Sequence, residues 1–239
     1  MTGPMLRLDE VHTHIGQYHI LQGVTFDVPE GAFTVIVGRN GAGKTTTLRT
    51  ILGLWKASAG SIRFRDAEIS RLDTSEISRA GIAYVPESMG IFGDLTVREN
   101  MLLAARTGRF DKDRLDWVLG LFPPLRKFWG LAAGNLSGGQ KQMLSIARAI
   151  IEPRELLLVD EPTKGIAPAI IEDMIDAFLE LKRMNTTVVL VEQNFGFASA
   201  LGDTVVVMDD GRAVHRGAMS DLAADQDLQQ KYLGLSLHD

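Results

Sequence analysis

Cysteine is absent from the 239-residue sequence. Without it the chain can form no disulfide bond, use no thiol nucleophile and bind no metal through cysteine sulfur. This composition suits a reducing compartment. Strong charge is absent as well, since the formal net charge is −5 at pH 7, and nothing therefore indicates a nucleic acid partner.

Long apolar runs are also missing. The longest, at residues 156–159 and 188–191, have the length of strands, whereas a membrane helix needs about 18 apolar residues or more. The first ten residues contain no apolar stretch typical of a secretory signal, so we expect none. If the protein acts at a membrane, we expect another chain to supply the spanning segments.

The most informative stretch fits the pattern G-x-x-x-x-G-K-[ST] of a phosphate-binding loop. It consists of Gly38, Arg39, Asn40, Gly41, Ala42, Gly43, Lys44, Thr45 and Thr46. Residues 33–37 predict a buried strand before the loop, and residues 45–52 predict a helix after it that Gly53 ends. The alternative, a glycine turn without function, is disfavoured by this context.

Such a loop binds phosphate because its backbone N–H groups turn inward and the helix N-terminus adds a positive dipole end. We expect it to bind ATP. In that role Lys44 reaches the β- and γ-phosphates, and the hydroxyl of Thr45 ligates Mg²⁺.

Two acidic residues, Asp160 and Glu161, end the apolar run at residues 156–159. Ligands of open α/β sheets bind beyond the carboxyl ends of strands, so this pair should lie near the phosphate loop. We predict that Asp160 holds Mg²⁺ through water and that Glu161 orients or deprotonates the attacking water. The alternatives are a solvated turn and an acidic cap of the next helix.

A second glycine motif comprises Leu136, Ser137, Gly138, Gly139 and Gln140. Its serine and glutamine fit a capping box, yet two glycines in a first helical turn cost about 1 kcal/mol each relative to alanine. Glycine is expected where a backbone must approach another group closely, so we predict a second phosphate site. One nucleotide does not need two such sites on one chain. The motif therefore predicts a homologous partner chain that presents its second site to the first site of this one.

The remaining sequence predicts an α/β fold: a P-loop NTPase core with a mainly parallel sheet, an N-terminal antiparallel β subdomain and a helical insertion subdomain. Alternating residues at 5–11 and 20–28 predict half-exposed antiparallel strands. Further strands are predicted at 61–64, 82–85, 156–159, 187–191 and 204–208, helices at 74–80, 169–184 and 195–200, and a hairpin turn at 209–211.

No strand is predicted from residue 95 to about residue 151. Thr96 fits the N-cap of a helix at 97–106, with Glu99 at the third helical position. A second helix at 113–122 is expected to end at Pro123-Pro124, and a third begins at Ser137 and ends before Pro153. We therefore treat residues 1–239 as a single domain. Its core covers about 1–87 and 153–239, and its helical subdomain covers about 88–152.

The phosphate loop, the LSGGQ motif at 136–140 and the LLLVDEP run at 156–162, in this order and spacing, resemble the ATP-binding subunit of ABC transporters. The resemblance covers essentially the whole chain. It implies a nucleotide-sandwich dimer with two composite sites for ATP and Mg²⁺. It also implies a groove that receives short helices from membrane subunits, and hence a peripheral location at the cytoplasmic face of the inner membrane.

Two substitutions of the family pattern are similar to the smaller ATPases of branched-chain amino acid uptake systems. Glu87, in the run VPE, stands where most of the family has a glutamine that contacts Mg²⁺ and the membrane partner. Gln193, in the run VEQN, stands where most members have a histidine that faces the γ-phosphate. An amide can donate a hydrogen bond there but cannot titrate, so we expect Gln193 to position groups and Glu161 alone to act as a base.

The runs at 91–100 and 231–234 fit the same branch, whereas residues 161–166 look somewhat closer to its urea and amide members. The resemblance implies the ATP-hydrolysing motor subunit of an importer for branched-chain or other amino acids. Its implied partners are permease subunits, a second ATPase subunit and, indirectly, a solute-binding protein, with no nucleic acid. The alternatives are a urea or amide importer and a soluble ABC ATPase outside transport.

One departure concerns the adenine base. Ile15 precedes Gly16 where the family usually has an aromatic residue that stacks on adenine. His14 and Tyr18 are the neighbouring rings, and Tyr18 is the candidate for the adenine contact. A solvated His14 and a half-buried Tyr18 are the alternatives. Separately, Ile91 and Phe92 are predicted to line the groove for the membrane subunits, with burial in the core as the alternative.

Overall fold

The computed structural model describes residues 3–233, which fold into two sheets with helices around the larger one. The last residue of the run 231–234 therefore lies outside the described part, as do both ends of the predicted domain. The strands are β1 Leu6–Ile15, β2 Tyr18–Val28, β3 Phe33–Val37, β4 Ala59–Phe64, β5 Ala67–Glu68, β6 Ile82–Val85, β7 Leu156–Asp160, β8 Thr187–Val191, β9 Thr204–Asp209 and β10 Arg212–Ala218.

The helices include all those that were predicted and three further ones, at 123–127, 219–224 and 226–233. They are α1 Lys44–Ile51, α2 Thr74–Arg79, α3 Val97–Ala104, α4 Lys112–Leu121, α5 Pro123–Lys127, α6 Gly138–Ile150, α7 Pro168–Arg183, α8 Phe195–Leu201, α9 Met219–Ala224 and α10 Gln226–Leu233, with a 3-10 turn at Ala133–Asn135. The predicted cap of α3 is confirmed, because the Thr96 hydroxyl accepts from Glu99 N and the Glu99 carboxylate accepts from Thr96 N. Among the described residues, none of the helices is long and apolar enough to cross a bilayer.

The smaller sheet is antiparallel in the order β2-β1-β4-β5. The larger sheet has the order β10-β9-β3-β8-β7-β6. Its strands are parallel except β10, which pairs antiparallel with β9. The predicted α/β class with a mainly parallel sheet and an antiparallel β subdomain is confirmed.

The structure extends the prediction at several places. The first hairpin is longer than predicted, because pairing continues to Ile15 and Tyr18 through residues that carry no apolar alternation, among them the buried Thr13 and the exposed His14. Helix α4 ends before Pro123 and Pro124, as predicted. These prolines also start α5, which was not predicted, since proline fits the first helical turn, where no intrahelical N–H bond is lost. The turn at 209–211 was predicted, but strand β10 after it was not.

The central strands are buried on both faces, and this burial fixes the base of the site. Every residue of β3, β7 and β8 is buried. Val35 packs in the core beneath the helices, whereas Ile36 packs in the core shared with α1 and the smaller sheet. Because burying one such side chain contributes about 1.5–3 kcal/mol, the sheet holds the loops at its carboxyl edge on a stable frame.

Candidate nucleotide site

Four neighbouring parallel strands end at one edge of the larger sheet. The phosphate loop follows β3, and the segment containing Glu192 and Gln193 follows β8. Asp160 ends β7 with Glu161 directly after it, and Glu87 follows β6. This is the edge at which open α/β sheets bind ligands. The motifs therefore lie side by side, although the first and last of them, at Gly38 and Gln193, are 155 residues apart in sequence.

The backbone of the phosphate loop takes conformations that glycine allows. Gly38 has φ 145° and Gly43 has φ 99°, both in the region that side chains rarely adopt. At Gly38 a Cβ atom would also lie 2.1 Å from the carbonyl oxygen of Met208. Both glycines are therefore fixed by the fold, and the loop leads directly into the N-terminus of α1, where N–H groups lack intrahelical partners.

Lys44 is buried, and its ammonium group lies within the loop. Its Nζ donates to the carbonyl oxygens of Gly38 at 2.9 Å and Arg39 at 3.1 Å. It also lies 4.0 Å from Oε1 of Glu161. Burial lowers the pKa of Lys44, and the nearby carboxylates oppose that change. The ammonium of Lys44 is thus held between backbone oxygens and an acidic residue.

Thr45 and Asp160 come together although they lie on different elements. The Thr45 hydroxyl donates to Oδ1 of Asp160 at 2.9 Å, and the Tyr84 hydroxyl donates to Oδ2 at 3.0 Å. Burial raises the pKa of Asp160, while both hydroxyl donors lower it. Tyr84 was not predicted as a site residue. Its role becomes visible only from the structure, in which β6 lies next to β7.

The donor set around Asp160 fits Mg²⁺. A hydroxyl and one carboxylate are hard oxygen ligands, and Mg²⁺ is commonly held by one or two carboxylates together with substrate phosphates and water. No group of three or more His, Asp or Glu side chains within residues 3–233 forms a metal site by itself.

Glu161 is held by a hydrogen bond from Gln193 and has an unusual backbone conformation. The amide Nε2 of Gln193 donates to its Oε1 at 2.6 Å. Its own backbone has φ 46°, a left-handed conformation that costs a non-glycine residue energy and is concentrated at functional sites. Gln193 does not cap the helix that follows, because the side chain of Asn194 accepts from Phe197 N and caps α8.

Glu192 was missed by the sequence reasoning. Its buried carboxylate accepts hydrogen bonds from Thr163 N and Oγ1 and from the backbone N–H groups of Gln193 and Asn194. Burial raises the pKa of Glu192 against the effect of these donors. The residue therefore ties the loop after β7 to the loop after β8. An acidic residue directly after a dry strand was the one available signal.

Glu87 does not lie with Thr45 and Asp160 in hydrogen-bond contact. Its Oε1 accepts from Lys164 Nζ at 2.6 Å, and the same ammonium lies 3.6 Å from Oε2 of Glu161. The hydrogen bond to Glu87 raises the pKa of Lys164. The predicted metal-ligand role of Glu87 stays a prediction, and its observed partner is a lysine that sequence reasoning did not single out.

The second glycine motif lies apart from the phosphate loop. Ser137 Oγ accepts from Gln140 N at 3.3 Å, and Gln140 Oε1 accepts from Ser137 N at 3.0 Å, so the expected capping box is present. In the described part of the chain, no hydrogen bond or ion pair joins residues 137–140 to the phosphate loop. The two motifs do not form one site within this chain.

The two glycines of this motif have different surroundings. Around Gly138 a Cβ atom would meet no atom within 4 Å, whereas at Gly139 it would lie 2.7 Å from Cγ2 of Ile170. Gly139 is therefore required by packing against α7. Gly138 faces open space, and it is the glycine that a ligand can approach.

The residues near the predicted base site lie at the tip of the first hairpin. Tyr18 is 65% exposed and pairs across the hairpin with Ile15. His14 is in the neighbouring pair, so its side chain lies on the opposite face, where it stacks on His19 with ring centroids 4.2 Å apart. Of the two rings, Tyr18 shares a face with Ile15, and His14 does not.

A cavity of about 530 Å³ lies between β6 and the helical segment, lined partly by Leu54, Leu103 and Arg148. Leu54 and Leu103 are both more than half exposed. Near it Phe92, also half exposed, lies under the guanidinium of Arg148 at 5.4 Å. Ile91 instead packs partly buried against the helical core, as its alternative interpretation expected.

Comparisons with known proteins agree with this geometry. A family model described as ABC transporter matches residues 21–164. The high-affinity branched-chain amino acid transport ATP-binding protein BraG of Pseudomonas aeruginosa is 40% identical over 235 residues, with 96% of this chain and 100% of that protein covered. The probable branched-chain amino acid transport ATP-binding protein LivF of Archaeoglobus fulgidus is 35% identical over 234 residues, with 97% and 99% covered.

Solved structures give the same result for the fold. An ATP-binding cassette of an ABC transporter in its ADP conformation is 25% identical with a TM-score of 0.81, covering 97% of this chain and 99% of that one. A dimeric bacterial ABC transporter cassette is 26% identical with a TM-score of 0.80, covering 90% and 99%. The chain therefore belongs to the ABC transporter family, as a subunit that binds and hydrolyses ATP.

Proposed function

We propose that this chain is the motor subunit of an importer for branched-chain amino acids. The observation that carries the proposal is the meeting of Lys44, Asp160, Glu161 and Gln193 at one sheet edge, in a chain whose relatives are named for branched-chain amino acid transport. A urea or amide importer is the second candidate, favoured only by the run at 161–166.

ATP binds with its phosphates in the loop at residues 38–46. Lys44 leaves the carbonyl oxygens of Gly38 and Arg39 and donates to the β- and γ-phosphates, because a phosphate attracts an ammonium more strongly than a carbonyl does. Thr45 and Asp160 would hold Mg²⁺, with Glu87 as a further candidate ligand. When bound, the metal would supply positive charge that neutralises the phosphates.

Glu161 orients or deprotonates the attacking water, and Gln193 keeps its carboxylate in place. The hydrogen bond of 2.6 Å between them supports this division of roles. Since the Gln193 amide has two N–H donors, it can keep contact with Glu161 while it approaches the γ-phosphate. Gln193 carries no titratable proton, so the base work stays with Glu161.

The motif at residues 137–140 acts on the nucleotide of a partner chain. Ser137 and Gly138 are exposed, and they lie at the N-terminus of α6, where N–H groups and the helix dipole favour an anion. Two chains placed head to tail then form two composite ATP sites. A dimeric cassette among the similar structures supports this arrangement.

Tyr18 is the proposed adenine contact. It shares a face with Ile15, the residue at the position where the family usually has an aromatic ring, and it is exposed enough to receive a base. A phenol ring can stack on adenine with about the strength of other base–aromatic contacts, roughly 1–3 kcal/mol.

The cavity beside β6 receives short helices of the permease subunits. Its exposed leucines, Leu54 and Leu103, give the cavity an apolar surface of the kind that marks protein interaction sites. We propose that the protein lies at the cytoplasmic face of the inner membrane, held there by the permeases, and that a solute-binding protein delivers the amino acid from the other side.

Reconstitution tests the proposal. The chain is incorporated into vesicles with permease and solute-binding proteins of a branched-chain amino acid importer, and uptake of labelled leucine is measured with and without internal ATP. We expect leucine uptake that depends on ATP. We also expect Leu103→Asp to abolish this uptake while the isolated subunit still hydrolyses ATP. Urea uptake in place of leucine uptake would support the second candidate, and hydrolysis without any transport would contradict both.

A further inference from the structure

Lys164 bridges two carboxylates at the entrance to the phosphate site. Its Nζ lies 2.6 Å from Oε1 of Glu87 and 3.6 Å from Oε2 of Glu161. Glu87 follows β6, whereas Glu161 and Lys164 lie in the turn after β7. One ammonium therefore connects the segment after β6 with the turn after β7.

The two oxygens of Glu161 have different partners. Oε1 accepts from Gln193 and faces Lys44, and Oε2 faces Lys164. Glu161 is nearly buried, with 9% of its side chain exposed, so it has little water to replace a lost partner. Without Lys164, the Oε2 atom of Glu161 would lie near the like charge of Glu87 with no cation between them. Like charges in one site repel.

Glu87 also belongs to the segment that borders the cavity beside β6. Its neighbours Pro86, Met89 and Gly90 line that cavity. Glu87 therefore lies in the same short segment as residues that line the cavity, and Lys164 joins it to Glu161.

We propose that Lys164 is a positioning residue that couples Glu87, and with it the cavity-lining segment, to the carboxylate of Glu161. It also cancels the negative charge of Glu87 where an anionic nucleotide must approach. The inference rests on the proposed role of Glu161 in ATP hydrolysis, and it extends that role to a residue outside the nucleotide motifs.

A double-mutant cycle tests the coupling. Lys164→Met, Glu87→Gln and the double variant are compared by kcat and KM for ATP hydrolysis. In the background of the natural Glu87, Lys164→Met is expected to lower kcat by about tenfold, and in the Glu87→Gln background by only about two- to threefold, because the repelling charge is gone. Equal losses in both backgrounds would overturn the proposal.

Nucleotide binding without catalysis gives an independent readout. The Kd of a fluorescent ATP analogue is measured in EDTA, where no hydrolysis occurs. Lys164→Met is expected to weaken binding several-fold, since the carboxylate of Glu87 is then uncompensated, and Glu87→Gln is expected to restore it. Unchanged binding in Lys164→Met would contradict the proposal that Lys164 cancels the charge of Glu87.

Three controls separate position from charge. Lys112→Met removes the same charge at the exposed start of α4 and is expected to leave kcat and binding unchanged. Lys164→Arg keeps a cation that can span two carboxylates and is expected to restore most of kcat. A loss of kcat that persists at high salt indicates positioning, whereas a loss that salt removes would indicate only screened charge and overturn the proposal.

The proposed function is tested separately in the same experiment. ATP hydrolysis by the natural chain is first compared with that by Glu161→Gln. A loss of about 10²- to 10³-fold establishes the role of Glu161 before the double-mutant cycle is interpreted. If Glu161→Gln hydrolyses ATP normally, the proposed function fails at Glu161. If Glu161→Gln is inactive and the Lys164 cycle is additive, only the inference about Lys164 fails.

Discussion

Tyr84 donates its phenolic hydrogen to Oδ2 of Asp160 across 3.0 Å, from the strand next to the one that ends in the aspartate. Burial raises the pKa of Tyr84, so the phenol stays protonated and remains a donor throughout the physiological range. The tyrosine thus fixes the orientation of the Asp160 carboxylate, while Thr45 binds its other oxygen.

Tyr84→Phe should weaken the response of the enzyme to Mg²⁺. The ring volume is nearly unchanged, but the ionised form of Asp160 loses a hydrogen bond of a class that contributes about 1.5–3 kcal/mol. We expect the Mg²⁺ concentration for half-maximal ATP hydrolysis to rise by about 10- to 150-fold, which is the equivalent of that loss.

The pH dependence of the same variant has a definite sign. Burial already raises the pKa of Asp160, and the Tyr84 hydroxyl lowers it. Loss of that donor raises the pKa further, so the acid limb of the ATPase profile should move to higher pH. Tyr232→Phe, in α10, serves as the matched control. An unshifted acid limb with an unchanged Mg²⁺ requirement would show that the Tyr84 bond has no role in catalysis.

Glu161→Gln should bind ATP but hydrolyse it about 10²- to 10³-fold more slowly, the scale for losing one group that acts in the transition state. With ATP retained, the two composite sites favour the closed dimer by mass action. Light scattering with ATP should therefore show a dimer for the variant and mostly monomer after hydrolysis for the natural chain. A variant that is loaded with ATP and strictly monomeric would contradict the two-site arrangement.

The two glycines of the motif at 136–140 should respond differently to alanine. Gly138→Ala places a methyl group in open space, so the variant should fold and melt as the natural chain does. Because that methyl group would meet the nucleotide of the partner, ATP-dependent dimerisation and hydrolysis should fall.

Gly139→Ala should instead destabilise the fold, because its Cβ would lie 2.7 Å from Ile170 and such overpacking costs about 1–3 kcal/mol. The combination of Gly139→Ala with Ile170→Ala should recover the melting temperature.

The prediction for Gly138 has its own contrary outcome. If Gly138→Ala dimerises and hydrolyses ATP normally, the exposed glycine is not a ligand contact.

The local elements were predictable because local chemistry specifies them. The bounds of β3 and β8 follow from continuous apolar runs, and the cap of α3 follows from Thr96 and Glu99 three residues apart. Strand β10 has no apolar run, since its residues alternate between exposed and half-buried. It forms because the predicted turn at 209–211 brings the chain back beside β9, with which β10 pairs.

The motifs of the site were predictable, and their internal contacts were not. Asp160 and Tyr84 are 76 residues apart, and Glu87 and Lys164 are 77 apart. Their meeting depends on the adjacency of β6 and β7, which the sequence order does not reveal since the helical segment separates them. Glu192 shows the same limit: its partners Thr163, Gln193 and Asn194 come from two loops that only the sheet order brings together.

Gln193 provides the last prediction. Its amide donates to Oε1 of Glu161 at 2.6 Å, and the helix that follows is capped by Asn194, so Gln193 is free to serve the nucleotide. Gln193→Ala should impair ATP hydrolysis, because Glu161 loses a positioning donor and the γ-phosphate loses a possible one.

Gln193→His supplies the decisive comparison. An imidazole can donate the same hydrogen bond, so hydrolysis should be retained, but a histidine titrates near its ordinary pKa of about 6.5. The variant should therefore gain a dependence of kcat on pH between about 6 and 7 that the natural glutamine cannot show. Gln193→Asn, which keeps the amide on a shorter stem, is the control for reach and should resemble Gln193→Ala. Full activity in Gln193→Ala would mean that neither Glu161 nor the γ-phosphate depends on this residue, and the hydrogen bond to Glu161 would then have only a structural role.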